Sequence, residues 1–163
     1  MKKLLYLFLA LLLPGLIFIF LKFAGRNEFA IPIYYQESVS DSLKGCGFDY
    51  PVPYHVPDTL WKGSETIFNA NIFVFSESGF DGHKLKSDLD EELGPVSLSW
   101  TTLSERTKGP TDLEKWKCTF LIRAPWQVVL VDEQGRIRGY YDPRLREELD
   151  RLRVELKVLL KKY

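Results

Sequence analysis

The residues of this chain able to bind a soft metal or exchange electrons are two cysteines, Cys46 and Cys118, and two histidines, His55 and His83. The cysteines lie far apart and match no metal-ligand spacing. They could form a structural disulfide on an exported domain, stand as two unpaired thiols, or act as a redox couple in thiol–disulfide exchange. A copper site would need a cysteine, His83 and His55 to converge, and no spacing enforces that. Met1 is the only methionine, so thioether ligation is not expected. Ser78 in "FSESGF" sits in a loop but at the wrong offset for the G-x-S-x-G nucleophile turn, and reads as a helix-capping serine. Glu77, Asp81, Asp88, Asp90, Glu91 and Glu92 form an acidic group that reads as a solvated face, with a divalent-cation site as the sharper alternative.

What must position these residues is one domain behind an apolar leader. Basic and acidic residues balance at 22 each, so no net field recruits nucleic acid. Leu4 to Leu21 carries no ionisable group except Tyr6. At a rise of about 1.5 Å per residue it reaches roughly 27 Å, enough for a hydrocarbon core. Pro14-Gly15 is tolerated in such a span. Lys2 and Lys3 before the run also suit a signal peptide, but no small-x-small cleavage site closes it. The reading is an uncleaved anchor over 1–24, a single pass through the inner (cytoplasmic) membrane, with the rest of the chain on the exported or periplasmic side.

Residues 25–60 show neither helical nor strand periodicity and carry Pro32, Pro51, Pro53 and Pro57. Tyr34, Tyr35, Phe48, Tyr50 and Tyr54 need apolar surface to cover, so the segment reads as an extended tether laid over the domain. Residues 61–163 supply the domain. "TIFNANIFVFS" predicts a buried strand, and "HKLKSDLDEELG", with Leu85, Leu89 and Leu93 ending at Gly94, an amphipathic helix. "VSLSWTTL" alternates as a strand, with Val96, Leu98 and Trp100 on one face. "TDLEKWKC" starts a second helix, with Thr111 and Glu114 in capping-box spacing. "WQVVLVD" and "RIRGYYD" predict a hairpin turning at Gly135. Asp142-Pro143 then reads as N-cap and first residue of a long helix, with Glu147 and Arg151 paired on its outer side. Leu145, Leu149, Leu152, Leu156 and Leu159 form that helix's docking stripe. The order β-α-β-α-β-β-α predicts an α/β protein with a thioredoxin-like three-layer fold after an N-terminal transmembrane helix.

"VVLVDEQGRIRGYYDPRLREELDRLRVELKVLL" resembles the C-terminal end of the Sco/SenC proteins, membrane-anchored thioredoxin-like factors of cytochrome c oxidase assembly, and "YHVPD" resembles the start of their domain. The resemblance implies a Cys-x-x-x-Cys pair after the first core strand and a His before the strand Val128–Asp132, binding copper. Here Ser78 and Gly82 stand where the cysteines would be, and Ala124 where the His would be. The same resemblance implies a cis proline at Pro125. The span from Ser78 to Asp132 is shorter than in the family.

The expected function is therefore a non-catalytic Sco-like accessory factor of respiratory cytochrome oxidase biogenesis, without a cofactor or metal site. It would bind a protein partner, an oxidase assembly component being the one the resemblance suggests. Trp61, Phe80 and Trp126 are its candidate contact surface. The alternative is a thiol–disulfide oxidoreductase or copper carrier with a rearranged site using Cys46, Cys118 and His83.

Overall fold

The computed structural model describes residues 3, 12–20, 22, 30–40, 47, 49–57, 59, 68–76, 80, 82–94, 98–104 and 110–160. Two compact units result, residues 1–30 and 31–163. In the first, residues 12–20 are helical and expose Leu12, Leu13, Leu16, Ile17, Phe18, Ile19 and Phe20. Most of the anchor read over 1–24 lies outside the described residues. Among the described residues, no helix is long and apolar enough to cross a membrane.

The second unit is a mixed α/β domain. Its elements are β1 (Ala70–Phe75), α1 (Gly82–Leu93), β2 (Leu98–Leu103), α2 (Pro110–Thr119), β3 (Val128–Asp132), β4 (Ile137–Tyr141) and α3 (Arg146–Leu159). The sheet order is β2-β1-β3-β4. β1 runs parallel to β2 and antiparallel to β3, and β4 is antiparallel to β3. The "ANIFVF" of β1 is buried throughout, as a central strand covered on both faces must be. The β3–β4 turn closes on Gly135, whose φ of 78° suits a residue without Cβ.

Strand alternation divides the core. Ile72, Val74, Val128, Leu130 and Tyr141 face Leu85 and Leu89 of α1 and Leu152 and Leu156 of α3. Phe73, Phe75, Val129, Val131 and Tyr140 face the other way, under Leu113 of α2 and the Phe120–Ile122 turn. Val39, Tyr50, Tyr54 and Val56 join that second face, so part of the predicted tether completes an outer layer. Among the described residues of 30–57 there is no helix or strand. The segment still engages the free edge of the sheet, where Tyr34 N donates to Ile137 O at 2.9 Å and Val56 N to Gly135 O at 2.8 Å. Tyr34 N thereby takes up one acceptor of the edge strand β4.

Several sequence expectations shift. The last helix does not begin at Asp142-Pro143; its N-cap is Leu145. The Asp142 carboxylate is engaged by Arg144, through the backbone N at 3.1 Å, Nε at 2.8 Å and Nη2 at 2.7 Å. Leu145 N donates to Asp142 O at 3.1 Å, so a separate turn precedes the helix. Leu145 accordingly leaves the docking stripe and is 55% exposed. Arg151 pairs with Glu148 and Glu155 rather than Glu147, and its side chain also donates to Tyr140 O. α2 starts at Pro110, which puts Thr111 inside the first turn instead of at the N-cap.

Candidate functional site

The antiparallel pairing of β1 and β3 brings the end of one strand to the start of the other, with Val74 opposite Val128. Phe75 N donates to Gln127 O at 2.7 Å and Ser76 N to Leu103 O at 2.9 Å. The loop leaving β1 and the 123–127 segment entering β3 therefore start from the same end of the sheet. Of the ligand positions implied by the resemblance, Ser78 lies outside the described residues. Gly82 is buried at the start of α1. A Cβ added there would meet Val74 Cγ1 at 3.5 Å, Thr102 Oγ1 at 3.7 Å and Trp100 Cζ2 at 3.9 Å, ordinary contacts. Ala124 is exposed. Glycine and alanine present no side-chain donor atom, so these two positions do not fit a copper ion.

The Ala124–Pro125 bond is cis, as the resemblance implies. Trp126 N donates to Arg123 O at 3.1 Å, and Arg144 Nη2 reaches Pro125 O at 3.4 Å while holding Asp142. That donation by Arg144 holds the Asp142 carboxyl below the usual carboxylate range. Trp126 is 44% exposed and leans on Tyr140, centroid to centroid 6.3 Å. Tyr140 in turn meets the ring of Tyr34 edge-on at 5.4 Å. Phe80, grouped with Trp126 from sequence, packs instead against the α1–α3 side of the core; Trp61 lies outside the described residues.

Cys118 is disulfide-bonded. The chain's one other cysteine, Cys46, lies outside the described residues. Cys118 sits in the last turn of α2, where backbone carbonyls lack helical partners. Three tyrosine hydroxyls donate here: Tyr50 to Cys118 O at 3.2 Å, which also accepts from Leu121 N at 3.1 Å, Tyr54 to Thr119 O at 2.5 Å and Tyr140 to Phe120 O at 2.7 Å. Burial pushes the Tyr54 and Tyr140 hydroxyls well above the ordinary tyrosine range. Two of these donors belong to the tether, so the same short stretch of α2 holds it by hydrogen bonds and carries the disulfide.

His83 is exposed on α1, whose buried side packs on the face opposite α2 and Cys118. His55 lies in the tether near the β3–β4 turn. The structure thus does not draw His83 and Cys118 into one site. Among the described residues, no group of three or more His, Cys, Asp or Glu is placed to hold a metal. In the acidic group, Asp90 pairs with Lys86, and Glu92 with Arg153 and Lys157; Glu77 and Asp81 lie outside the described residues.

Sequence reading missed a buried polar cluster at the opposite end of the sheet. Asp132, 2% exposed, accepts from Gln134 N and Arg136 N at 3.0 Å each on one oxygen. Its other oxygen takes Arg136 Nε at 2.7 Å and Arg138 Nη1 at 3.4 Å. Arg138 also donates to Ile31 O at 2.9 Å, tying in the tether. Burial pulls the Arg138 guanidinium below its ordinary value, and Asp132 opposes the shift. The period-2 spacing of Arg136 and Arg138 opposite an Asp was the available signal. No family profile and no curated protein matches this chain.

Proposed function

We propose that the protein is a membrane-anchored, non-catalytic, Sco-like thioredoxin-fold factor that acts by holding a protein partner, in the setting of respiratory cytochrome oxidase biogenesis. One observation carries the reading. The β2-β1-β3-β4 sheet, with β1 and β2 parallel and β3 antiparallel to both neighbours in the sheet, brings the end of β1 to the Gln127 end of the Pro125 segment, and positions 82 and 124 hold no ligand atom. The setting in oxidase assembly rests on the sequence resemblance alone. The apolar side chains exposed on helical residues 12–20 favour a lipid environment for the N-terminal segment.

In this reading Trp126 is the contact residue. It is aromatic, outward-facing and backed by Tyr140, while Arg144 braces the adjacent Pro125 carbonyl, the kind of rigid anchor that dominates protein interfaces. Copper titration of the full chain in detergent tests the proposal. No tight one-to-one binding of Cu(I) or Cu(II) is expected. Tight binding abolished by His83→Ala would overturn it.

The disulfide at Cys118 keeps a second reading, thiol–disulfide exchange, in view. A structural bond has a reduction potential below about −300 mV, whereas oxidising catalysts lie nearer −180 to −120 mV. The proposed function requires the former.

A further inference from the structure

A concave site lies between the tether and the β3–β4 turn, at the end of the sheet away from Pro125. It is a cavity of about 310 Å³, at the small end of the range for small-molecule sites. Ile33, Pro53 and Tyr54 form an apolar wall, and Gln36, His55, Gln134 and Arg136 supply polar groups. Among the described residues, no carboxylate lines it.

Arg136 is both held and unspent. Arg136 is fixed by Nε on Asp132 Oδ2 at 2.7 Å, and its terminal nitrogens make no hydrogen bond among the described residues. Arg138 shares the same carboxylate oxygen at 3.4 Å, so Asp132 divides its charge between two guanidiniums, with Glu155 also acting on Arg138. The walls are equally fixed, by Val56 N on Gly135 O and by Tyr54 Oη on Thr119 O. A pre-oriented guanidinium fork matches a carboxylate or phosphate. The amides and the imidazole offer further donors, and the apolar wall suits the body of an organic molecule.

We infer that this cavity binds a small organic anion, its carboxylate or phosphate on Arg136 and its apolar body against Ile33, Pro53 and Tyr54. The test is NMR titration of the isotope-labelled full chain in detergent, following the side-chain amides of Gln36 and Gln134. The probes are benzoate and phenyl phosphate, with inorganic phosphate and benzyl alcohol as controls. At least one aromatic anion shifts both amides saturably and more tightly than either control; which of the two does so identifies the anionic group. Arg136→Lys, which keeps the charge pair with Asp132 but loses the fork, weakens binding about tenfold, and Gln134→Ala weakens it without touching Asp132. No saturable shift with either anion overturns the inference. So does benzyl alcohol or inorganic phosphate binding as tightly as the anions, or unchanged affinity in both folded variants.

Discussion

Replacing Tyr54 by Phe tests how the tether is held. The ring stays in place, packed at 5.5 Å against Tyr50, and only the hydroxyl leaves. That hydroxyl donates to Thr119 O at 2.5 Å, a carbonyl at the end of α2 with no helical successor to serve it. A net hydrogen bond contributes about 0.5–1.5 kcal/mol, and leaving its buried partner unmade costs about 1–3 kcal/mol. The carbonyl lies in a part-buried site, so Tyr54→Phe should cost about 1–2 kcal/mol, a factor of roughly 5 to 30 in the unfolding equilibrium. Tyr50→Phe, whose bond to Cys118 O is longer at 3.2 Å, should cost less, about 0.5–1 kcal/mol. The assay is denaturant unfolding of the full chain in detergent, oxidised and reduced, followed by tryptophan fluorescence; Trp116 stacks on Phe120 at 5.9 Å beside these carbonyls. Reduction should enlarge the Tyr54→Phe effect, because the tether is then held by non-covalent contacts alone. A Tyr54→Phe variant as stable as the parent in both redox states would refute the claim that the hydroxyl clamps the tether.

Asp132→Asn keeps acceptors for the turn but leaves the Arg138 guanidinium, 10% exposed, without its counter-charge. Loss of about 3–5 kcal/mol is expected, and a change below about 1 kcal/mol in denaturant unfolding would contradict the buried pair. Asn71 is fully buried with neither side-chain polar atom partnered among the described residues, so Asn71→Leu should stabilise by about 1–3 kcal/mol; destabilisation in the same assay would show that the amide is needed. Burial raises the Tyr54, Tyr140 and Tyr141 pKa values in the fold, so the neutral hydroxyl is favoured there. Their contribution is fully present below the unfolded value of about 10 and is lost as pH rises past it. Melting temperature should therefore fall above about pH 10, less steeply in Tyr54→Phe, and a flat profile to pH 12 would count against this.

The elements that sequence revealed are those set by local rules. The apolar run "ANIFVF" needs only burial on both sides to become β1, and Leu152 and Leu156 need only helical spacing to reach the sheet. Gly135 declares its turn through its own backbone freedom. The start of α3 was misread because Asp142-Pro143 satisfies the local rule for a helix cap, while Arg144 chelates the aspartate and defers the helix. The tether's aromatic content told that it must cover something. That Tyr50, Tyr54 and Tyr140 land on three successive carbonyls depends on partners 68, 65 and 20 residues away, which no local pattern encodes. The cavity is hidden for the same reason, since its walls come from residues 33–36, 53–55 and 134–136. At the candidate site, Gly82, Ala124 and Pro125 were legible as positions, but their geometry could come only from the pairing of β1 with β3.

The proposal places Ser78, Gly82 and Ala124 where the sequence resemblance would put two cysteines and a histidine, and restoring those ligands tests it most directly. The Ser78→Cys, Gly82→Cys, Ala124→His variant of the full chain is titrated with Cu(II), reading the thiolate–copper absorption, beside the parent protein. Position 82 admits a Cβ at ordinary contact distance, 3.5 Å from its nearest neighbour. The account predicts one tight copper per variant molecule, lost on reverting position 124 to alanine, and none in the parent. A folded variant that binds no copper, or a parent that binds it as tightly, would contradict the account.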